Sequence, residues 1–418
     1  MKKKLLLGAS ALFLLNFTPN SSATTSSNEN LLFKEVKPNL EIRPRYEYVD
    51  EKNNNLKSAN ALTTRISIGL NLKYLFHIKN LETYLETTGV FATINNYSPE
   101  NTKYELVPDP VNTRFTQIYI KYKLNKTNFF IGRKFVIIDD HRFIGNVGWR
   151  QMPQSFGVIA ISDNTVENLN FLIAGIYERK GITNSLNTYW EFGKWPLILD
   201  VNYKVSNLLK IKVFSYLITD IHNTYGIKLS GKYKFNYLNA NYIFEYTKQT
   251  DPYKIDNLKI KPDIDTNYYR FGLNTNIQKW IIGLEYTHFG DKNGKDKGFS
   301  TPLATLHAFD GWSDTLLQGG ANGFDYGLNE YKLTIGYKNV KYGKFLVSYL
   351  IFKSYKSQPT GRNIGTEIDL LYTKNLTKRL SLLLKSAFYD GNNGYFTGGS
   401  LKGQNDVNKF WAQLDFKY

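Results

Sequence analysis

The chain has 418 residues, no cysteine, a formal net charge of +17 and 15% aromatic residues, 31 of them Tyr and 27 Phe. The missing cysteines exclude a disulfide framework, thiol catalysis and zinc–thiolate sites, and no apolar run near 18 residues follows the N-terminal stretch, which excludes a transmembrane helix. The positive balance asks for anionic partners (nucleic acid, acidic lipid or an acidic solute), unless the lysines are simply spread over solvated turns and loops.

The predicted elements begin with a secretion signal. Lys2 to Lys4 are basic, Leu5 to Phe17 are apolar, and Ser21-Ser22-Ala23 places small residues at a cleavage site after Ala23. Residues 24–39 then read as a periplasmic N-terminal segment and 40–418 as a transmembrane β-barrel. In Leu40 to Tyr48, Leu40, Ile42, Tyr46 and Tyr48 fall on one face, and Glu41, Arg43, Arg45 and Glu47 on the other. That is the period of two expected of a strand with lipid on one side.

The same pattern predicts strands near 40–49, 60–73, 80–90, 115–124, 127–134, 155–162, 168–178, 196–204 and 208–218. It continues near 225–235, 237–247, 267–276, 279–288, 329–338, 343–353, 364–373, 379–389 and 408–418. Eighteen is an even number, as single-chain bacterial barrels require. Short links such as Asn125-Lys126, Ser206-Asn207, Asn236 and Gln278 alternate with long ones such as 134–155 and 288–329. Short links are then periplasmic turns and long ones extracellular loops. The link between 218 and 225 is shorter than its place in the alternation predicts. Segment 187–194 imitates a strand, but counting it would break the parity. The last strand, Phe410 to Tyr418, is amphipathic and ends on an aromatic, a form common in chains assembled into the bacterial outer membrane.

Charge on the lipid face costs a few kcal/mol near the midplane, so midstrand charges are expected in the lumen. Glu41, Arg43, Arg45, Arg65, Lys121, Lys210, Lys212, Lys228, Lys232, Arg270, Glu285, Lys332, Glu367, Asp369 and Lys385 qualify, and bases outnumber acids. Arg43, Arg45 and Arg65 belong to adjacent strands and are expected to form a basic ladder along one wall. Such a lumen selects anions; alternatively, the same residues only keep it wet and pair with one another.

Two segments resemble the alginate-export porin family. One runs from Val107-Pro108-Asp109-Pro110 through Gly132-Arg133-Lys134 to Asp140-His141-Arg142-Phe143 and Gly148-Trp149-Arg150-Gln151. The other is Phe299 to Asp314, including His307-Ala308-Phe309-Asp310-Gly311-Trp312. Leu56 to Thr63 and Gly365-Thr366-Glu367 are similar as well. The resemblance implies an 18-stranded barrel with an Arg- and Lys-rich constriction made partly by infolded loops. Arg133, Asp140, Arg142, Trp149 and Arg150 would sit in or near the narrow zone, and His307, Asp310 and Trp312 in a second infolded loop. Lys134 and Met152-Pro153 depart from the family pattern. From the residues alone, His141-Arg142 and Trp149-Arg150 set cations beside aromatics on a long loop, which suits stacking on a sugar acid or capping the rim against lipopolysaccharide.

The five histidines are His77, His141, His222, His288 and His307, and there is no Gly-x-Ser-x-Gly, His-Glu-x-x-His or phosphate-binding glycine loop. No enzyme, cofactor or metal is expected, although Asp251, Asp256, Asp263 and Asp265 share a loop that suits either calcium or solvent. The expected function is an outer-membrane porin passing anionic solutes, including acidic polysaccharide or sugar acids. An adhesive or structural barrel that displays loops such as Phe289 to Asn329 is the rival reading. Outer-membrane lipid, lipopolysaccharide, the anionic solute and the barrel assembly machinery are the expected partners; nucleic acid is not.

Overall fold

The computed structural model describes residues 32–418 apart from 184, 189–193, 254 and 256–259. The signal peptide, residues 24–31 and Asp256 lie outside the described residues. Eighteen strands form the wall. The first nine are β1 (Glu35–Glu51), β2 (Ala59–Lys73), β3 (Leu81–Asn96), β4 (Asn112–Leu124), β5 (Thr127–Lys134), β6 (Ser155–Asp163), β7 (Leu169–Lys180), β8 (Leu197–Lys204) and β9 (Lys210–Ile218). The second nine are β10 (His222–Phe235), β11 (Leu238–Thr250), β12 (Asp265–Ile277), β13 (Trp280–Phe289), β14 (Leu328–Asn339), β15 (Gly343–Lys353), β16 (Asn363–Asn375), β17 (Leu380–Gly391) and β18 (Val407–Lys417).

Each strand pairs antiparallel with the next, and β1 pairs with β18, Tyr46 opposite Ala412, which closes the cylinder. All eighteen expected strands form. The largest differences are at β1, which starts at Glu35, and β3, which runs to Asn96. Glu35 to Leu40 extend the ladder against Ile68 to Lys73 although Pro38 and flanking charges mask the alternation. At the other end of β2, a bulge at Leu62/Thr63 lets the polar pair Asn95-Asn96 continue the pairing. Leu186–Thr188 adds only to the outer end of β7, which already pairs with β8, so the parity of the barrel is kept.

Three of the tight turns begin with Asn125, Asn236 and Gln278 at φ of 53°, 48° and 52°, the left-handed geometry of two-residue hairpins. At the opposite end, only Thr219 to Ile221 separate β9 from β10, the short extracellular link the sequence pattern pointed to.

Outward positions such as Ile68, Leu70, Phe115, Ile131 and Leu284 are exposed aliphatic and aromatic residues, as a lipid face requires. The inward face is less uniform than charge periodicity implies. Along one side of the lumen, Val158, Ala174, Ile176, Ile198, Phe214, Tyr216 and Tyr268 point inward and are buried. They pack against Phe143, Phe299, Leu303, Leu316 and Phe324 from two long loops. The lumen is therefore not lined by charge throughout: burial of these loops removes part of it from water, and apolar side chains are stable there.

The two loops, 135–154 and 290–327, are joined to each other inside the barrel. Ile144 bridges Leu303, Gly145 N–H donates to Leu303 O at 2.9 Å, and Thr305 N–H donates to His141 O at 3.1 Å. They form one partition across the lumen.

Candidate functional site

The partition meets the wall formed by β1, β2, β17 and β18. Arg43 and Arg65 are cross-strand partners on the inward face, with Arg45 two residues on. They do not form a free ladder. Arg43 donates to Gly148 O at 3.0 Å, Arg65 to the carbonyls of Gly148 and Arg150 at 3.4 Å, and Arg45 to Trp149 O. Their guanidinium groups thus hold the 135–154 loop against the wall, supplying donors to loop carbonyls that no strand can satisfy.

Acids complete this contact. Glu41 binds Arg43 (3.0 Å) and Arg65 (2.6 Å), and Asp415 binds Arg43 (2.6 Å). Asp109, fully buried in the 97–111 connection, lies 3.4 Å from Arg45 and 3.6 Å from Arg150. Arg150 also reaches Glu47 at 3.0 Å and Asp314 at 2.7 Å, while Lys409 reaches Asp314 at 3.1 Å. Arg43, Arg45, Arg65, Arg150 and Lys409 are therefore balanced by Glu41, Glu47, Asp109, Asp314 and Asp415. The ladder is charge-neutral as built.

Trp149 sits at the centre. His307 stacks on it with ring centroids 3.4 Å apart, and Trp411 meets it edge-on at 5.9 Å. Arg150, Arg45 and Lys385 lie over its ring at 4.0, 5.1 and 5.2 Å. Lys385, from β17, also lies 3.7 Å from the Trp312 ring centroid and 5.3 Å from that of Trp411. It contacts His307 Nε2, but no carboxylate comes within 4 Å of its ammonium among the described residues. Lys385, Trp149 and Trp312 each keep part of their surface exposed. Trp411 is 1% exposed, so the cluster offers a solute the ammonium of Lys385 and the exposed parts of Trp149 and Trp312.

The second loop is fixed from below by Glu367 of β16, which accepts hydrogen bonds from Trp312 N–H, Ser313 N–H (2.9 Å) and Ser313 Oγ (2.6 Å). Gly311 makes the approach possible. It has φ of 84°, and a Cβ there would stand 2.5 Å from Glu367 Oε2.

The remaining expected residues fall in three other places. Arg142 and Asp310 pair at 2.7 Å and are each 1% exposed, with Tyr268, Phe289 and Phe309 rings about the guanidinium. They are a structural tie within the partition and reach no solute as packed. Asp140 and Arg270 pair at 2.6 Å on the opposite wall, where Lys228 contacts Asp139 (2.7 Å) and Asp140 (3.0 Å), and Lys212 contacts Asp139 (3.4 Å) and Asp200 (2.8 Å). Burial alone would raise the carboxyl pKa values of Asp139 and Asp140, but the lysines and, for Asp140, Arg270 override it, so both are held below the ordinary range. Arg133 stands apart from the narrow zone: it shares a strand face with exposed Phe129 and Ile131 and contacts Glu178 and the Phe115 carbonyl. The irregular backbone at Gly132, φ 123°, separates its environment from that of Lys134, which turns toward Phe130 and Tyr119.

Several participants were not singled out from sequence. Lys385 was one lumen cation among many, and Trp411 lay on the polar face of the last strand, which was the only signal it gave. Glu367 was named as a lumen charge, and Asp109 and Asp314 lie in the resembling segments, but none carries a local mark of partners so distant in sequence. The aspartates of the 251–264 loop and β12 are engaged by lysines: Asp251 by Lys261 (3.3 Å), Asp263 by Lys295 (2.7 Å) and Asp265 by Lys248. No cluster of three potential metal ligands occurs among the described residues.

No family model matches the sequence, and no curated protein matches it. Solved structures do. OccAB2 of Acinetobacter baumannii is 18% identical with a TM-score of 0.70, covering 91% of this chain and 98% of that one. OccK5 (OpdH) of Pseudomonas aeruginosa is 12% identical with a TM-score of 0.66, covering 93% and 99%. Pseudomonas aeruginosa OpdK, solved with vanillate, is 11% identical with a TM-score of 0.65, covering 93% and 99%. These neighbours are outer-membrane porins with 18-stranded barrels, not enzymes. The fold of this chain is theirs, a closed 18-stranded antiparallel barrel. The alginate-export assignment finds no support among these matches. The segments that suggested it include 140–151 and 299–314, through which the two loops contact each other.

Proposed function

We propose that the protein is a passive channel for small anionic solutes, selected at Lys385 and the indoles of Trp149, Trp312 and Trp411 that surround it. One observation carries the reading: the arginine ladder is neutralised by its own carboxylates, which leaves Lys385 as a cation flanked by indoles with no carboxylate partner among the described residues. A partly exposed ammonium with no carboxylate partner attracts anions. The aromatic walls favour a solute with a flat or apolar part beside its carboxylate, and the neighbour solved with vanillate, an aromatic acid, is compatible with that chemistry. A polysaccharide is less well suited, because the two loops join inside the barrel and divide the lumen.

The test is the reversal potential of single channels in a KCl gradient. Anion preference is expected in the native protein, with a severalfold loss in Lys385→Gln at unchanged conductance. Replacing Arg43, Arg45 and Arg65 together is expected to act differently, by releasing the 135–154 loop and enlarging the conductance. A non-conducting barrel, as a display platform would be, or a native preference for cations defeats the proposal.

A further inference from the structure

The surplus of positive charge lies at the short-turn end of the barrel, away from the balanced zone. Lys204 stands directly opposite Lys210 across β8 and β9, and Lys338 directly opposite Lys344 across β14 and β15. Like charges in facing positions weaken strand pairing, so a purely structural wall has no use for them. Lys232 and Lys234 follow on β10, just beyond Ser230, the partner of Lys210. All six share the inward-facing parity of their strands, and all but Lys344 are exposed.

Deeper in the lumen Lys212 and Lys228 also face each other, but Asp139, Asp140 and Asp200 neutralise them. No carboxylate does so for the outer six among the described residues. At the other end, the 290–327 loop holds five aspartates and three lysines, and Asp291, Asp310, Asp314 and Asp325 are each paired with a base.

We propose that the periplasmic mouth is a collar that binds small multivalent anions, polycarboxylates or phosphates, between the facing pairs Lys204–Lys210 and Lys338–Lys344. Facing side chains are about 5 Å apart at Cβ, a spacing at which one multiply charged anion bridges two ammonium groups, whereas a monovalent anion meets only one. Inward parity directs these groups to the solute path rather than to lipid. The collar deepens the channel reading given above and rests on it. It adds a second electrostatic step, present at one end only, so the two ends are expected to respond differently to the same anion.

Citrate and inorganic pyrophosphate are the probes, added to one side of a planar bilayer holding the full-length channel in 0.1 M KCl, where the Debye length is about 10 Å. Orientation is assigned from the side on which protease attacks the 290–327 loop. Chloride current is expected to be reduced at about tenfold lower probe concentration from the periplasmic side. The quadruple variant Lys204→Gln, Lys210→Gln, Lys338→Gln, Lys344→Gln is expected to lose this sidedness while its conductance in 1 M KCl stays native. Should the quadruple variant not insert, the two pairwise variants are each expected to lose part of the sidedness. Equal potency from both sides, or sidedness that survives in the variants, overturns the collar. Sidedness that vanishes when anionic lipid is left out of the bilayer assigns these lysines to headgroups and overturns it as well. A sided block in a channel without anion preference in its reversal potential would support the collar and remove the Lys385 reading.

Discussion

His307 is packed where an imidazole cannot easily take a second proton. Burial pushes its pKa well below the ordinary 6.5; Asp314 opposes the shift, and Lys385 and Arg150 add to it. Its contacts fit one neutral tautomer, with Nδ1–H donating to Asp314 at 2.6 Å and Nε2 accepting from the Lys385 ammonium. With a depressed pKa, the neutral ring stabilises the docked loop fully above pH 6.5, and that contribution declines as pH falls from 6.5 toward the docked value. For Asp314, burial works against ionisation, yet His307, Lys409 and Arg150 hold its carboxyl well below 3.8, so its contribution lasts until far more acidic conditions. Channel fluctuations from loop undocking are therefore expected to rise as pH drops below 6.5. His307→Gln, which keeps hydrogen bonding without titration, is expected to flatten that dependence between pH 6.5 and 4. Single-channel noise spectra decide it, and a native channel equally quiet at pH 7 and pH 4 would contradict the assignment.

At the scale of the element, the partition depends on one backbone geometry. Gly311 holds φ at 84° against Glu367, and a larger residue meets both the left-handed backbone penalty and the carboxylate. Gly311→Val is expected to unseat Trp312 and Ser313 from Glu367, leaving the eighteen strands intact and raising single-channel conductance in 1 M KCl. Unchanged conductance would mean that the loop does not obstruct the ion path. The contrast between strands and loops also explains what could be read from sequence. Strands report themselves locally, because lipid on one side enforces a period of two; Leu62 to Leu72 need no other information. Loop docking is non-local. Arg150 joins Glu47, Asp109 and Asp314, residues separated from it by 103, 41 and 164 positions, and no spacing rule links them. Arg43, Arg45 and Arg65 were placed on the correct face, but periodicity shows direction and says nothing of what covers a side chain. The apolar inward residues Phe214, Tyr216 and Tyr268 were missed for the same reason, since their partners Phe143 and Phe299 arrive from elsewhere in the chain.

For the whole molecule, the formal charge of +17 is unevenly placed: ion pairs cancel it where the loops meet the wall, and it is left uncompensated at the periplasmic mouth. The mouth and Lys385 should respond to salt to different extents. Exposed lysines act over the Debye length, which falls from about 10 Å at 0.1 M to about 3 Å at 1 M. Lys385, wedged among three indoles, is screened much less. Anion preference measured at a fixed concentration ratio is thus expected to weaken as both solutions are raised from 0.1 M to 1 M, and then to level off above zero. The residual preference at high salt belongs to Lys385 and should disappear in Lys385→Gln, while the salt-sensitive part persists in that variant. The two contributions arise at opposite depths of one pore, so they add in the native channel and separate only along the salt axis. A preference independent of salt would place all selectivity at the partition, and one that falls to zero would place it all at the mouth.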